Sequence, residues 1–132
     1  MRNEPNWLTA EHLVELNEQV VASTGEPHGI LKPHELESAP YRVRALWHYE
    51  NEDNLAVLAV RLLIAVAVGH PFEQGNKRTG FIAATIFLGA NGWYLDVEDH
   101  ISVAELIEAA VEDRDREYEL VELFESRMIE MA

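Results

Sequence analysis

The sequence predicts an all-α fold, because apolar residues recur at helical spacing along nearly all of its 132 residues. Residues 55–69 are apolar on nearly every side and are interrupted only by Arg61, as in a helix that lies in the middle of a bundle. Turn signals such as Asn91-Gly92 separate the periodic segments. No repeat, low-complexity segment or linker divides the chain, and we expect a single domain over residues 1–132.

The first third of the chain predicts one long helix and one irregular segment. Thr9 can cap a helix that runs to about residue 22, and turn-forming residues stop it at 24–29. A short helical turn is expected after Pro33. Residues 40–50 mix aromatic and basic side chains without a clear period of 3.6, which favours a loop or a small hairpin. The apolar face of the first helix is formed by Leu13, Leu16, Val20 and Val21.

Two further helices are predicted in the middle of the chain. The first runs from about residue 53 to 69, and His70-Pro71 ends it because the residue before a proline is pushed out of the helical region. The second begins near Asn76 and ends at Asn91-Gly92. The chain should therefore turn sharply between two apolar helices at His70-Pro71.

The last quarter of the chain predicts two more helices and carries most of the charge. Ser102 and Glu105 have the spacing of a capping box, and residues 116–131 can form a final helix. Residues 96–130 contain 13 acidic and 3 basic side chains, against 11 and 7 in the remainder. The acidic quarter is either a solvated helix face or a docking surface for a basic partner.

Composition limits the classes of function. A net charge of −14 repels phosphate backbones, so we expect no nucleic-acid partner. The apolar stretch 55–69 would span about 22 Å as a helix, which is short of a bilayer core of about 30 Å, so no membrane partner is expected. The absence of cysteine excludes thiol catalysis and suits a cytoplasmic protein.

The segment 70–78, with sequence HPFEQGNKR, has the residues of an anion site at a helix N-terminus. Free backbone N–H groups and the helix dipole bind anions there, and Gly75 allows a close backbone approach. Lys77 and Arg78 would weaken an isolated helix at this end, which points to a bound anion that offsets them. These residues predict phosphate chemistry.

Six residues separate His70 from the first of these cations, which is far enough for the chain to turn back on itself. An imidazole with an ordinary pKa near 6.5 can accept a proton from an attacking hydroxyl at neutral pH. We therefore expect His70 to face the anion. The other histidines show no metal-ligand spacing and are predicted to be surface or loop residues: His12, His28, His34, His48 and His100.

The segment His70-Pro71-Phe72-x-x-Gly75-Asn76-Lys77-Arg78 resembles the signature of the Fic/Doc superfamily, and specifically its death-on-curing (Doc) branch. The segments 36–39 and 87–92 are also similar to that branch, so the likeness covers about residues 8–95. The resemblance implies a compact helical bundle in which the motif loop joins two central helices and binds a nucleotide.

The resemblance also implies a reaction and a role for each motif residue. Family members that transfer AMP have glycine at the position of Lys77, whereas Doc-type proteins have lysine and transfer the terminal phosphate of ATP to a protein hydroxyl. His70 would be the general base and Asn76 would hold the loop, while Lys77, Arg78 and the backbone at Gly75 would bind the phosphates. The implied partners are a small antitoxin and a target protein such as elongation factor Tu.

One position departs from the family pattern. Gln74 stands where the family usually has an acid that helps to hold Mg²⁺, and Glu73 lies next to it. A glutamine oxygen can coordinate magnesium, but it lacks the charge of a carboxylate. Two alternatives therefore stay open beside phosphate transfer, namely AMP transfer in the same fold and a weakly active or non-catalytic nucleotide-binding module.

Overall fold

The computed structural model describes residues 2–97 and 100–132, and it confirms the all-α class. Six helices, one short 3₁₀ turn and a two-stranded antiparallel sheet make up the described chain. The α-helices are α1 Ala10–Thr24, α2 Pro33–Glu50, α3 Leu55–Gly69, α4 Asn76–Ala90, α5 His100–Glu112 and α6 Glu117–Arg127. The 3₁₀ turn is Arg114–Arg116, and the strands are β1 Trp93–Leu95 and β2 Met128–Glu130.

Helix α1 begins where the sequence predicts. Thr9 is its N-cap, and the Thr9 hydroxyl accepts a hydrogen bond from the His12 N–H at 3.3 Å while the Thr9 N–H donates to His12 Nδ1 at 3.0 Å. Gly25 ends the helix in the left-handed region with φ of 76°. His12 is thus an exposed capping residue.

The expected loop or hairpin over residues 40–50 is wrong, because helix α2 continues from Pro33 through this segment. Pro33 lies in the first turn, where a missing N–H costs nothing, and Pro40 is buried inside the helix. The buried stripe of α2 packs on α3 and consists of Leu36, Ala39, Pro40 and Val43. Two of these four residues come before the segment of mixed aromatic and basic residues, and burial of the stripe on α3 holds the helix together despite Pro40.

Helices α3 and α4 form the centre of the molecule. Asn54 caps α3 by accepting from the N–H groups of Ala56 and Val57. A Cβ atom on Gly80 of α4 would lie only 2.8 Å from the Leu63 carbonyl oxygen of α3, so the two backbones approach as closely as glycine allows. Because α3 is buried on nearly every side, the loop between these two helices is held on a rigid support.

The C-terminal region differs from the prediction in two ways. Helix α5 begins at His100, so Ser102 lies inside it and is not its N-cap. The expected helix over 116–131 ends at Arg127, and β2 then pairs antiparallel with β1. The Met131 N–H donates to the Gly92 carbonyl at 2.9 Å and extends this pairing. Backbone pairing with a segment over thirty residues earlier therefore overrides the helical periodicity at the end of the chain.

Within the described residues, every helix is too short or too polar to cross a bilayer.

Candidate active site

The loop between α3 and α4 carries the predicted site. His70 ends α3 in the left-handed region with φ of 49° and ψ of 54°, and its N–H donates to the Val66 carbonyl at 3.2 Å. This conformation is uncommon for a residue with a side chain and costs about 1 kcal/mol or more. It turns the chain away from α3, and six residues later Asn76 begins α4.

The Asn76 side chain closes this loop from within. Its Oδ1 accepts from the Phe72 N–H at 3.0 Å, and its Nδ2 donates to the Phe72 carbonyl at 2.9 Å. The same Nδ2 lies 3.3 Å from His70 Nδ1. Asn76 is buried, so these bonds are shielded from water. The side chain therefore fixes the loop and contacts the imidazole at once.

Asn17 of α1 holds the loop from behind and was not found from the sequence. The Asn17 side chain is fully buried, and its Nδ2 donates to the Gln74 carbonyl at 2.8 Å and to Thr79 Oγ1 at 3.1 Å. Its Oδ1 lies 2.7 Å from His28 Nδ1, and His28 must carry a proton there because Oδ1 can only accept. One signal was present, since position 17 falls within the apolar stripe of α1.

Gly75 is also required for the packing of the loop on α1. It has φ of 73°, and a Cβ atom there would lie 3.1 Å from Val20 Cγ1 and 3.6 Å from Asn17 Nδ2. The missing side chain therefore makes room for α1. Glycine lets the loop pack tightly on α1 while it enters α4.

Every predicted site residue lines one open cavity of about 310 Å³ at the N-terminus of α4. Its lining comprises His70, Glu73, Gln74, Gly75, Asn76, Lys77 and Arg78. His70 and Arg78 are exposed, and Lys77 is half-buried. A base, two cations and a helix N-terminus thus face one small volume, which suits the binding of a charged phosphate group.

Comparison with known proteins agrees with this geometry. The family model described as Fic/DOC family matches residues 7–88, and these include the whole cavity lining. A protein of Escherichia phage P1 named "Protein kinase doc" is 32% identical over 99 residues, which cover 75% of this chain and 77% of the phage protein. The chain belongs to the Fic/Doc family. It is of the Doc type, as the motif with Lys77 indicates.

In this Fic/Doc chain each cation of the motif is paired with a carboxylate. Lys77 Nζ forms an ion pair with Glu108 of α5, and Arg78 Nη2 lies 3.8 Å from Glu26 Oε1. Exposed pairs of this kind are worth about 1 kcal/mol or less. The two cations can therefore turn to a strongly charged ligand at little cost. Neither Glu108 nor Glu26 could be predicted as a partner, because both are distant along the chain from the cation that they pair with.

The predicted metal residues of the Fic/Doc motif differ in their surroundings. The Glu73 carboxylate lies against Gly29, and the Glu73 N–H donates to the Gly29 carbonyl at 2.9 Å. Gln74 is exposed and lines the cavity. Over residues 2–97 and 100–132, no three His, Cys, Asp or Glu side chains group in a way that could hold a metal ion. Of side chains with oxygen ligands beside the phosphate-binding residues, the cavity lining contains Glu73, Gln74 and Asn76.

Proposed function

We propose that this protein is a Doc-type toxin that transfers the terminal phosphate of ATP to a hydroxyl of a target protein. The observation that carries this proposal is Lys77, whose side chain lines the cavity at the position where AMP-transferring relatives have glycine. A lysine there fills the space that the inner phosphates of ATP would need in AMP transfer. The name of the phage P1 relative, a protein kinase, supports the same reaction.

In the proposed reaction the oxygen of the target hydroxyl attacks the terminal phosphorus of ATP. A new P–O bond forms, the bond between that phosphorus and the bridging oxygen breaks, and ADP leaves with the bonding electron pair. The hydroxyl proton passes to His70. Negative charge that shifts to the leaving oxygen is stabilised by Lys77, by Arg78 and by the N–H groups at the start of α4.

The contact with Asn76 bears on which imidazole nitrogen takes this proton. Asn76 Nδ2 can only donate, so His70 Nδ1 accepts at 3.3 Å and the proton of the neutral ring lies on Nε2. At this length the hydrogen bond is weak, and its loss costs on the order of 1 kcal/mol. We infer that the incoming hydroxyl competes with Asn76 for Nδ1, since that nitrogen holds the free electron pair.

ATP fits the cavity as a substrate through its phosphates. Lys77 leaves Glu108 and Arg78 leaves Glu26 when a group of higher negative charge arrives, because formal charges on a phosphate outweigh a single exposed carboxylate. Mg²⁺, when bound with ATP, would neutralise phosphate charge, and Gln74 or Glu73 would supply its protein ligand. The weak protein contribution predicts that Mg²⁺ binds through ATP and not before it.

The partners follow from the same proposal. An antitoxin segment would lie in the neighbouring groove between α4 and α5, a cavity of about 400 Å³ that shares Lys77 and Arg78 with the motif cavity. Its remaining walls are mainly apolar and include Phe81, Val103 and Ile107. We propose elongation factor Tu as the target by resemblance, which would place the protein in the cytoplasm.

Labelled ATP tests the reaction directly. The protein is incubated with a bacterial lysate and ATP labelled at either the α or the γ phosphate, with His70→Ala as the control. Label from the γ position alone should appear on protein and should disappear with His70→Ala. Label from the α position would establish AMP transfer and would overturn the proposal.

Gln74 favours a second candidate, a nucleotide-binding module without transfer. In that case ATP binding would depend on Arg78, while neither label would reach any protein in the lysate. Restoring the usual acid with Gln74→Glu separates the two outcomes further. If transfer rises with Gln74→Glu while the fold is unchanged, the wild-type chain is a slow enzyme and not an inert module.

Co-expression tests the antitoxin. Growth arrest caused by this protein should be relieved by the product of the neighbouring open reading frame, and the two proteins should purify together. A substitution at an exposed position of the groove, Ala104→Glu, should abolish the complex but leave transfer to the target in place. If co-expression neither relieves arrest nor yields a complex, the antitoxin proposal is abandoned.

A further inference from the structure

A cavity of about 630 Å³ lies between α2, α3 and the 3₁₀ turn, next to the motif loop. Gly69, the residue before His70, forms part of its wall. Lys32, another wall residue, donates its backbone N–H to the Pro71 carbonyl at 3.0 Å. The cavity therefore borders the candidate active site through the backbone at both of these residues.

This cavity is basic in a strongly acidic protein. Four of the ten lysine and arginine residues of the chain line it, against two acids, although the chain carries a net charge of −14. The basic residues are Lys32, Arg42, Arg61 and Arg114, and the acids are Glu35 and Glu50. Arg42 pairs with Glu35 at 3.4 Å, and the remaining excess of basic side chains favours an acidic ligand here.

Arg61 and Arg114 both line the cavity and meet at one carboxylate. They come from different elements, α3 and the 3₁₀ turn, and both bind Glu117. Arg61 Nε donates to Glu117 Oε2 at 3.2 Å, and Arg114 Nε donates to Oε1 at 2.8 Å. Each guanidinium thus uses its Nε for the shared carboxylate, which leaves its terminal nitrogens for a ligand. Half-exposed side chains, 41% for Arg61 and 51% for Arg114, keep these groups accessible.

The pair lies at a defined distance from His70. Arg61, Ala65 and Gly69 follow one another at spacings of four along α3 and all line the cavity. Nine residues of helix separate Arg61 from His70, which corresponds to about 14 Å along the axis. An extended peptide covers this distance in about four residues, at roughly 3.3 Å each.

The cavity wall also suits a peptide better than a small anion. Tyr41 is 64% exposed and Val68 is 38% exposed, and both face the space between the basic side chains. Apolar surface of this kind adds nothing to the binding of free phosphate, but it can pack against the side chains and backbone of a peptide.

We propose that this cavity binds an acidic segment of the protein substrate, with a carboxylate on Arg61 and Arg114 about four residues from the hydroxyl that is modified. This inference rests on the proposed function, because it assigns the recognition of the substrate of that reaction. It predicts that modified serine or threonine residues have aspartate or glutamate at this spacing.

Direct binding is the first test and needs no catalysis. Two fluorescein-labelled peptides are used, each with one serine and two glutamates centred four residues away from it. The glutamates precede the serine in one peptide and follow it in the other. Each peptide is titrated with the protein, and its fluorescence anisotropy is measured. Arg61→Gln/Arg114→Gln should weaken binding at least fivefold. The control Arg44→Gln/Arg127→Gln changes the net charge equally at positions outside the cavity and should change binding less than twofold.

Four results would overturn the proposal. The first three are no binding by the wild-type protein, equal loss in both double variants, and equal affinity for a peptide with lysines in place of the glutamates. Displacement of the peptide by inorganic phosphate at equal concentration would also count against it, because the site would then be one for small anions. Arg61→Lys/Arg114→Lys keeps the charge for Glu117, so it separates loss of the anion site from loss of the fold.

Phosphate transfer is the second test, and it distinguishes this inference from the proposed function. Transfer is measured in lysate for the wild-type protein and for Arg61→Gln/Arg114→Gln. Compared with the wild type, the double variant should have a higher KM for the protein substrate, while kcat and the KM for ATP should be nearly unchanged. If wild-type protein transfers no phosphate but binds the acidic peptide through both arginines, the proposed function fails and the docking site stands. If transfer occurs and the KM for the protein substrate is the same with and without both arginines, only the proposal of the docking site is wrong.

Discussion

The inner and outer faces of the motif loop are held in different ways. On the inner face, Asn17, Phe72 and Asn76 are buried, and each is fixed by packing or by hydrogen bonds of 2.7 to 3.3 Å. On the outer face, Lys77 and Arg78 are held only by ion pairs on the surface. The inner face therefore sets the shape of the loop, and the outer face keeps its charges free to meet a ligand.

This difference separates stability from chemistry. Substitutions on the inner face should lower the free energy of unfolding and affect activity through the position of His70 and α4. Substitutions on the outer face should lower activity and leave the free energy of unfolding nearly unchanged, because exposed ion pairs contribute little to it.

Phe72→Ala should have the largest effect on stability. Phe72 is fully buried and its ring lies 5.9 Å from that of His28, so truncation leaves a cavity beneath the loop. The free energy of unfolding should fall by about 3–5 kcal/mol, measured by urea denaturation. The control Tyr41→Ala, at a side chain that is 64% exposed, should cost under about 1 kcal/mol. A loss below about 1 kcal/mol for Phe72→Ala would show that the loop is not supported from within.

Arg78→Ala should have the largest effect on activity alone. Loss of one cation at the phosphates should lower the rate of transfer from γ-labelled ATP by about 10²–10³, because charge in the transition state is left unpaired. The free energy of unfolding should change by less than about 1 kcal/mol, since the pair with Glu26 is exposed and long. Arg127→Ala is the control for net charge. A parallel fall in stability and activity would abolish the distinction between the two faces.

Asn17→Ala tests whether the buried Asn17 side chain helps to fix the inner face of the loop. The substitution removes the donor to the Gln74 carbonyl and to Thr79 Oγ1, and it leaves buried polar groups without their partner. We expect a loss of about 1–3 kcal/mol in the free energy of unfolding together with slower transfer. The control Gln19→Ala, on the exposed side of α1, should change neither the free energy of unfolding nor the rate of transfer. Unchanged stability would mean that water replaces the asparagine.

Glu108→Gln should have the smallest effect. Unlike the other substitutions, which lower stability or activity, it should strengthen the binding of ATP. It removes the counter-ion of Lys77, so the ammonium group no longer has to leave a carboxylate when ATP binds. The Kd for ATP should fall by up to about fivefold, which corresponds to about 1 kcal/mol. Glu105→Gln, on an exposed position of the same helix, is the control for net charge. Weaker ATP binding by Glu108→Gln would show that the ion pair holds Lys77 in its active position.

Local signals explain which elements could be predicted. Thr9, Asn91-Gly92 and His70-Pro71 act on the backbone within a few residues, and α1, α3 and α4 lie close to where these signals put them. Only the first turn of α2 was predicted, because the rest of this helix is stabilised by a stripe of residues that is buried against α3. Strand β2 was missed because its partner β1 is distant in sequence.

The sequence by itself determined the fold class, the motif and the gathering of its residues at the start of α4, because each depends on neighbours along the chain. Only the tertiary structure decided what surrounds them. Asn17 reaches Gln74 across 57 residues, and Lys77 meets Glu108 across 31. Contacts of this range leave no periodic trace in the sequence, since they arise from how helices pack and not from how each one forms.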